Sequence, residues 1–178
     1  MGNKSKQKKK TFAKFVFRFF DFCLCRSDLP FFGKFSNKIR VFFARRISKG
    51  ISKKAFIDKG SLISSDVIVK ENGCIGKKCL ISSGVTIGKN TMMGPEVLFF
   101  TSNHKKDINN HCFIEGYEEN RSIKIGDNCW IGQRVIILGG VEIGDFVTIG
   151  AGSIVTKNVP SNCLVAGNPA VIKKYYEQ

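Results

Sequence analysis

The chain has 178 residues, 43% of them hydrophobic, and a formal net charge of +15 at pH 7. That length suits one domain with an appendage, and no run of roughly 18 apolar residues offers a membrane-spanning helix. Two histidines and seven cysteines without a Cys-x-x-Cys pair show no metal-ligand spacing, so no metal centre is expected.

Basicity is concentrated at the start. Residues 1–50 carry 14 Lys or Arg against Asp21 and Asp28, a net of +12, while residues 51–178 carry 15 basic and 12 acidic side chains, a net of +3. Eleven of the 16 Phe also lie in residues 1–50, which form a basic, Phe-rich arm. Phe12, Phe15, Val16, Phe19, Phe22 and Cys23 recur at helical spacing opposite Lys14, Arg18 and Asp21. Leu29-Pro30 breaks that helix. A second amphipathic stretch then sets Phe35, Ile39, Phe42 and Phe43 against Lys38, Arg45 and Arg46.

Residues 29–50 are expected to cap the open end of the fold that follows, where strand edges would otherwise lie unpaired. For residues 1–25 two roles stand open: part of the same cap, or peripheral contact with an anionic membrane through Lys-rich flanks and a Phe face. Nucleic acid is not expected as a partner, because the basic run belongs to no reader module. Lys14, Arg18 and Asp21 interrupt the apolar stretch and no small-residue cleavage site follows, which argues against a signal peptide. Lys6 stands where a myristoylation signal has Ser or Thr.

From residue 57 an aliphatic or similar side chain returns every six positions: Ile57, Ile63, Val69, Ile75, Ile81, Ile87, Met93 and Phe99, resuming as Ile125, Ile131, Ile137, Ile143, Ile149 and Val155. Four places after each stands a small or branched residue, such as Ser61, Val67, Cys79, Val85, Cys129 and Val135. A period of six matches neither a helix nor an alternating strand. It is the mark of a parallel β-helix, in which three hexapeptides make one triangular coil and the repeated aliphatic points inward. Gly or Asn is expected at the corners, where the chain turns with positive φ. Cys79 and Cys129 fall on inward small positions, where a thiol serves as a small hydrophobe. Reduced thiols and a cytoplasmic protein are expected.

After Phe99-Phe100-Thr101-Ser102-Asn103-His104 the phase is lost, and residues 105–122 read as an inserted loop. Long irregular loops in compact domains tend to be functional. Both histidines, His104 and His111, sit at or within it. A histidine titrates near neutrality, so His104 is the candidate general base. His111 reads as a surface residue.

At Ile125-Gly126-Asp127-Asn128-Cys129-Trp130-Ile131-Gly132, Ile149-Gly150-Ala151-Gly152-Ser153-Ile154-Val155-Thr156-Lys157 and Val165-Ala166-Gly167-Asn168-Pro169-Ala170 the chain resembles the hexapeptide-repeat acyltransferases. The branch is that of galactoside, maltose, xenobiotic and capsule O-acetyltransferases. The resemblance covers residues 57–174 and implies a left-handed parallel β-helix. The chain then divides into a helical arm (1–50), a β-helix domain (51–174) with its inserted loop, and a tail (175–178).

The resemblance further implies acetyl-CoA as co-substrate and His104 as the base that deprotonates an acceptor hydroxyl. The backbone N–H of Gln133 would hold the oxyanion. Trp130, Ala151, Gly152, Thr156, Lys157 and Lys174 would line the CoA site, and Asn103 and Ser82 the acceptor site. Two departures concern the acceptor and the CoA phosphates: Ser82 stands where galactoside enzymes carry an acidic contact, and Val171 where they carry arginine. The family forms homotrimers with sites between neighbouring prisms, completed by residues of two chains.

The function so implied is CoA-dependent O-acetylation of a sugar hydroxyl, on a bacterial surface polysaccharide or its precursor, in the cytoplasm or at the inner face of the membrane. Serine or antibiotic acetylation, amino-sugar N-acetylation and a non-catalytic β-helix remain alternatives. Three histidines would be needed for the carbonic anhydrases that share this repeat, and the chain has two.

Overall fold

The computed structural model describes residues 11, 12, 14–19 and 32–177. Of the arm's expected apolar pattern, Phe22, Cys23 and Leu29-Pro30 lie outside them.

From Phe56 onward, the strands of the repeat, two or three residues long, follow one another at the six-residue spacing, and each buries its repeated residue. They stack into three parallel sheets, the faces of a triangular prism. One face is built from Leu62–Ile63, Leu80–Ile81, Leu98–Phe100, Ile136–Leu138 and Ile154–Val155. A second comprises Ile68–Val69, Val85–Ile87, Ile123–Ile125 and Glu142–Ile143. The third runs from Met92–Met93 through Trp130–Ile131, Thr148–Ile149 and Cys163–Gly167, and is closed by the antiparallel strand Ala170–Tyr175. Below it lie Phe56–Ile57 and Cys74–Ile75.

Register shows why the repeat works. Ile63 pairs with Ile81 and Ile81 with Phe99, so in the uninterrupted coils each inward residue sits on the one 18 positions earlier. All 14 repeated positions are buried and join one core. The small inward positions that are polar are satisfied across coils: Ser61 Oγ donates to Gly76 O (2.6 Å) and Thr91 Oγ1 to Gly126 O (2.8 Å). No buried side-chain polar atom lacks a partner among the described residues.

Corners were expected to fall to Gly or Asn, and Gly60, Gly84, Asn72, Asn90 and Asn128 do carry positive φ. Lys78, Glu96, Arg134 and Phe146 share that conformation, at φ between 54° and 60°. Each side chain there costs on the order of 1 kcal/mol. The offset is a cross-coil hydrogen bond from the same residue's N–H, as from Glu96 to Lys77 O (2.8 Å) and Arg134 to Pro95 O (3.0 Å). The stacking therefore enforces the corner whatever the residue.

The helix Gly33–Ile47 closes the first coil, but not with the face its Phe spacing suggests. Gly33, Ser36, Arg40, Val41, Ala44 and Ile47 are buried, whereas Phe35 and Phe42 are 63% and 54% exposed. Small residues let the helix backbone approach the coil more closely than phenyl rings would. Asn37 then pairs the strand edge: its Oδ1 accepts from Ile57 N–H (2.8 Å) and its Nδ2 donates to Ala55 O (3.3 Å). Arg45 and Arg46 in the last turn suit the helix's negative end. Residues 14–19 are also helical, and Phe17 is the side chain that enters the core while Phe12, Phe15 and Phe19 stay exposed.

Candidate active site

The interruption is larger than its irregular appearance suggests. Ile87 pairs with Ile125 and Phe99 with Ile137, both 38 residues apart, so one coil carries 38 − 18 = 20 extra residues. Much of the segment read as a loop is an antiparallel hairpin, His104–Asp107 with Cys112–Tyr117. It is tied at its base: Glu118 N–H donates to Asn103 O and Arg121 N–H to Thr101 O, each at 2.8 Å. At its turn Asp107 accepts from Asn109 and Asn110, which hold its carboxyl below the ordinary carboxylate range, the Asn110 side chain contributing most.

His104 is the first residue of the hairpin and pairs with Tyr117. Their rings lie 4.7 Å apart between centroids and are tilted by 34°. Beside them a cleft of about 160 Å³ is lined by Ser102, Asn103, Glu118, Arg121, Gly139 and Thr156, among others. Asn103 and Thr156, far apart in sequence, thus meet on one edge of the prism, where Lys157 follows. Ser82 stands below in the same column, since Leu80, Leu98, Ile136 and Ile154 pair in register two residues earlier. Its hydroxyl donates to Phe99 O at 2.5 Å, so its proton is committed to the backbone.

The other candidates lie elsewhere. Trp130 projects from a different face, 46% exposed between Met92 and Thr148. Lys174 joins that face through its pairing with Leu164, with Nζ 5.5 Å from the Tyr176 ring. Gln133, Ala151 and Gly152 occupy the corner beyond Trp130, all exposed. Gln133 O accepts from Gly152 N–H at 2.8 Å, which fixes that peptide's orientation. A Cβ on Gly152 would meet nothing within 4 Å, so the corner is open to a slender ligand. One chain therefore gathers His104, Asn103, Ser82, Thr156 and Lys157 on one edge, and Trp130, Gln133, Ala151, Gly152 and Lys174 on another. His111 is exposed at the hairpin turn, with φ 49°.

Three side chains at the first edge were not singled out in the sequence: Tyr117, Glu118 and Arg121. All lie in or beside the broken repeat, and that was the only signal for them. Among the described residues no three His, Cys, Asp or Glu cluster as a metal site, and Cys74, Cys79, Cys112, Cys129 and Cys163 are free thiols.

The class defined by this geometry is the hexapeptide β-helix, and residues 122–157 match the family model "Bacterial transferase hexapeptide (six repeats)". The chain is similar over 99% of its length to a maltose O-acetyltransferase from Clostridium difficile, 28% identical, covering 90% of that chain with a TM-score of 0.72. It is 34% identical to the polySia-specific acetyltransferase NeuO, over 72% of this chain and 62% of that one, with a TM-score of 0.54. A galactoside acetyltransferase in complex with coenzyme A shares the fold, with a TM-score of 0.75 at 24% identity, covering 97% of this chain and 82% of that one. A protein of Schizosaccharomyces pombe named as an acetyltransferase is 46% identical over 79 residues, 44% of this chain. The match spans 37% of that relative's own length. The prism is the left-handed parallel β-helix of these structures, and over that fold the chain is similar to hexapeptide-repeat acetyltransferases.

Proposed function

We propose that the protein transfers an acetyl group from acetyl-CoA to a sugar hydroxyl, with His104 as general base. The acceptor in this reading is a bacterial surface polysaccharide or its precursor, met in the cytoplasm or at the inner face of the membrane. What carries the reading is the edge where the hairpin leaves the prism: an imidazole, stacked on Tyr117, beside a polar cleft lined by Asn103 and Thr156.

The imidazole of His104 takes the proton of the acceptor hydroxyl as its oxygen attacks the thioester carbonyl carbon. The carbonyl oxygen becomes an oxyanion and accepts from the Gln133 N–H, a donor that needs no side chain. Collapse of the intermediate breaks the carbon–sulfur bond, and the CoA thiolate recovers the proton from the imidazolium. The thioester is already activated, so a base and positioning suffice. Thr156, Lys157 and Lys174 meet the CoA chain and its phosphates, Trp130 walls the thioester, and Ala151 and Gly152 leave room for pantetheine.

Because the two groups of residues occupy different edges of one prism, the site in this reading forms where His104 of one chain faces Trp130 and Gln133 of its neighbour in a homotrimer. The test is His104→Ala with acetyl-CoA and a panel of candidate sugars. Turnover should fall about 10² to 10⁴-fold while CoA still raises the melting temperature. Near wild-type turnover on a good acceptor would remove His104 from the mechanism. Absence of thermal stabilisation by CoA in the wild-type chain would remove the acyl donor.

A further inference from the structure

Among the described residues, the helix that closes the first coil presents an exposed outer stripe. Phe35, Lys38, Phe42 and Arg46 recur at three- and four-residue intervals and all are exposed, with Lys34 beside them. The Arg46 guanidinium lies 3.8 Å from the Phe42 ring centroid, so cation and ring form one unit. Next to this helix, residues 11, 12 and 14–19 expose Phe12, Phe15 and Phe19 with Lys14 and Arg18. Phe17 anchors that segment, and a cavity of about 210 Å³ joins Lys14, Phe17 and Arg18 to Ile47 and Leu62. No Asp or Glu occurs between residues 29 and 57.

A soluble surface seldom exposes phenyl rings such as Phe12, Phe15, Phe35 and Phe42 together on two adjacent helical segments. Their chemistry names the occupant. Rings alternating with cations, with no acidic residue to repel a headgroup, suit the boundary between anionic headgroups and acyl chains. Among the described residues no helix is long and apolar enough to cross the bilayer, so the contact lies in its plane.

We propose that the outer faces of helix Gly33–Ile47 and of residues 11, 12 and 14–19 form a docking surface for an anionic lipid bilayer. This deepens the reading of a membrane contact through residues 1–25: the surface continues onto a helix that Asn37 fastens to the prism, so docking sets the orientation of the whole β-helix. A flexible tether would leave the prism free to tumble.

The experiment is co-sedimentation of the full chain with phosphatidylserine–phosphatidylcholine vesicles and with phosphatidylcholine vesicles, at low and high salt. Binding to the anionic vesicles that weakens with salt is expected, since exposed charges are screened. The variant Lys34→Glu/Lys38→Glu should lower low-salt partitioning by about a hundred-fold or more, at roughly five-fold for each cation removed and further for each reversal. The variant Phe35→Ala/Phe42→Ala should chiefly remove the part that survives high salt. Both should melt like the wild type and keep full acetyl transfer to a soluble acceptor, so failure of docking and failure of the enzymatic reading are seen separately. Equal vesicle binding by both variants and the wild type overturns the proposal, as does no binding by the wild type. Capture of a DNA or RNA oligonucleotide in preference to the vesicles overturns it as well.

Discussion

Tyr117 stands opposite His104 in the hairpin register and lays its ring against the imidazole, centroids 4.7 Å apart. An aromatic pair of this kind contributes about 0.5–1.5 kcal/mol, enough to favour one imidazole rotamer by up to roughly ten-fold. Tyr117 is thus a positioning residue for the proposed base. Tyr117→Ala should lower kcat about ten-fold and change the pH–rate profile. Tyr117→Phe, which keeps the ring, should restore both. A pH profile unchanged in Tyr117→Ala would make the stacking merely structural.

A shared site has a signature in mixtures. His104→Ala and Trp130→Ala should each be nearly inactive alone. Unfolded and refolded together in equal amounts, they should regain activity, because about a quarter of the sites would pair an intact His104 with a neighbour's intact Trp130. No recovery, in particles that light scattering shows to be mixed trimers, would place both residues in one chain's site.

Fold and site differ in how much the sequence discloses. The 14 inward positions could be named beforehand because a coil repeats the same environment, and burial at each follows from one geometric rule. The packed face of helix Gly33–Ile47 could not. Phe35 and Phe42 point outward, while Ser36 and Ala44, unremarkable in the sequence, make the contact because they are small. His104 was visible as a histidine at a break. Its partner was not, since Tyr117 meets it through a hairpin register that spacing alone does not reveal.

The thiols should report on the core. Burial pushes the Cys79 thiol up to about 12 and also raises that of Cys129. Both remain protonated at pH 8 and poor nucleophiles. Iodoacetamide applied to the folded protein should modify exposed Cys112 and spare both, as read by peptide mass spectrometry. The sign for stability follows. An unfolded thiol ionises near the ordinary value of 9.0, so the folded state loses ground as pH rises from there towards about 12. Melting temperature should fall over that window and fall less in Cys79→Ser, measured against each protein's value at pH 7. Rapid labelling of Cys79 at pH 8 would show that the prism opens at that corner.

Close coil stacking should be sensitive to a single carbon. A Cβ on Gly88 would collide with the Gly126 carbonyl oxygen one coil above. The backbone there can yield only by breaking the coil's hydrogen bonds, such as Gly126 N–H to Ile143 O at 2.8 Å. Gly88→Ala should therefore destabilise the protein by about 1–3 kcal/mol. The expected reading is a melting temperature several degrees lower, and an unchanged value would mean the stack is softer than its spacing implies.

The 20 residues that enter at the hairpin leave no trace in the register around them: Ile87 still meets Ile125, and Phe99 still meets Ile137. With both ends of the excursion clamped by Thr101 and Asn103, its length and sequence can drift while the prism below and above keeps its shape. The hairpin is thereby a cassette, exchangeable without rebuilding its support. A chain built this way can exchange one hairpin and keep every stabilising contact of its stem.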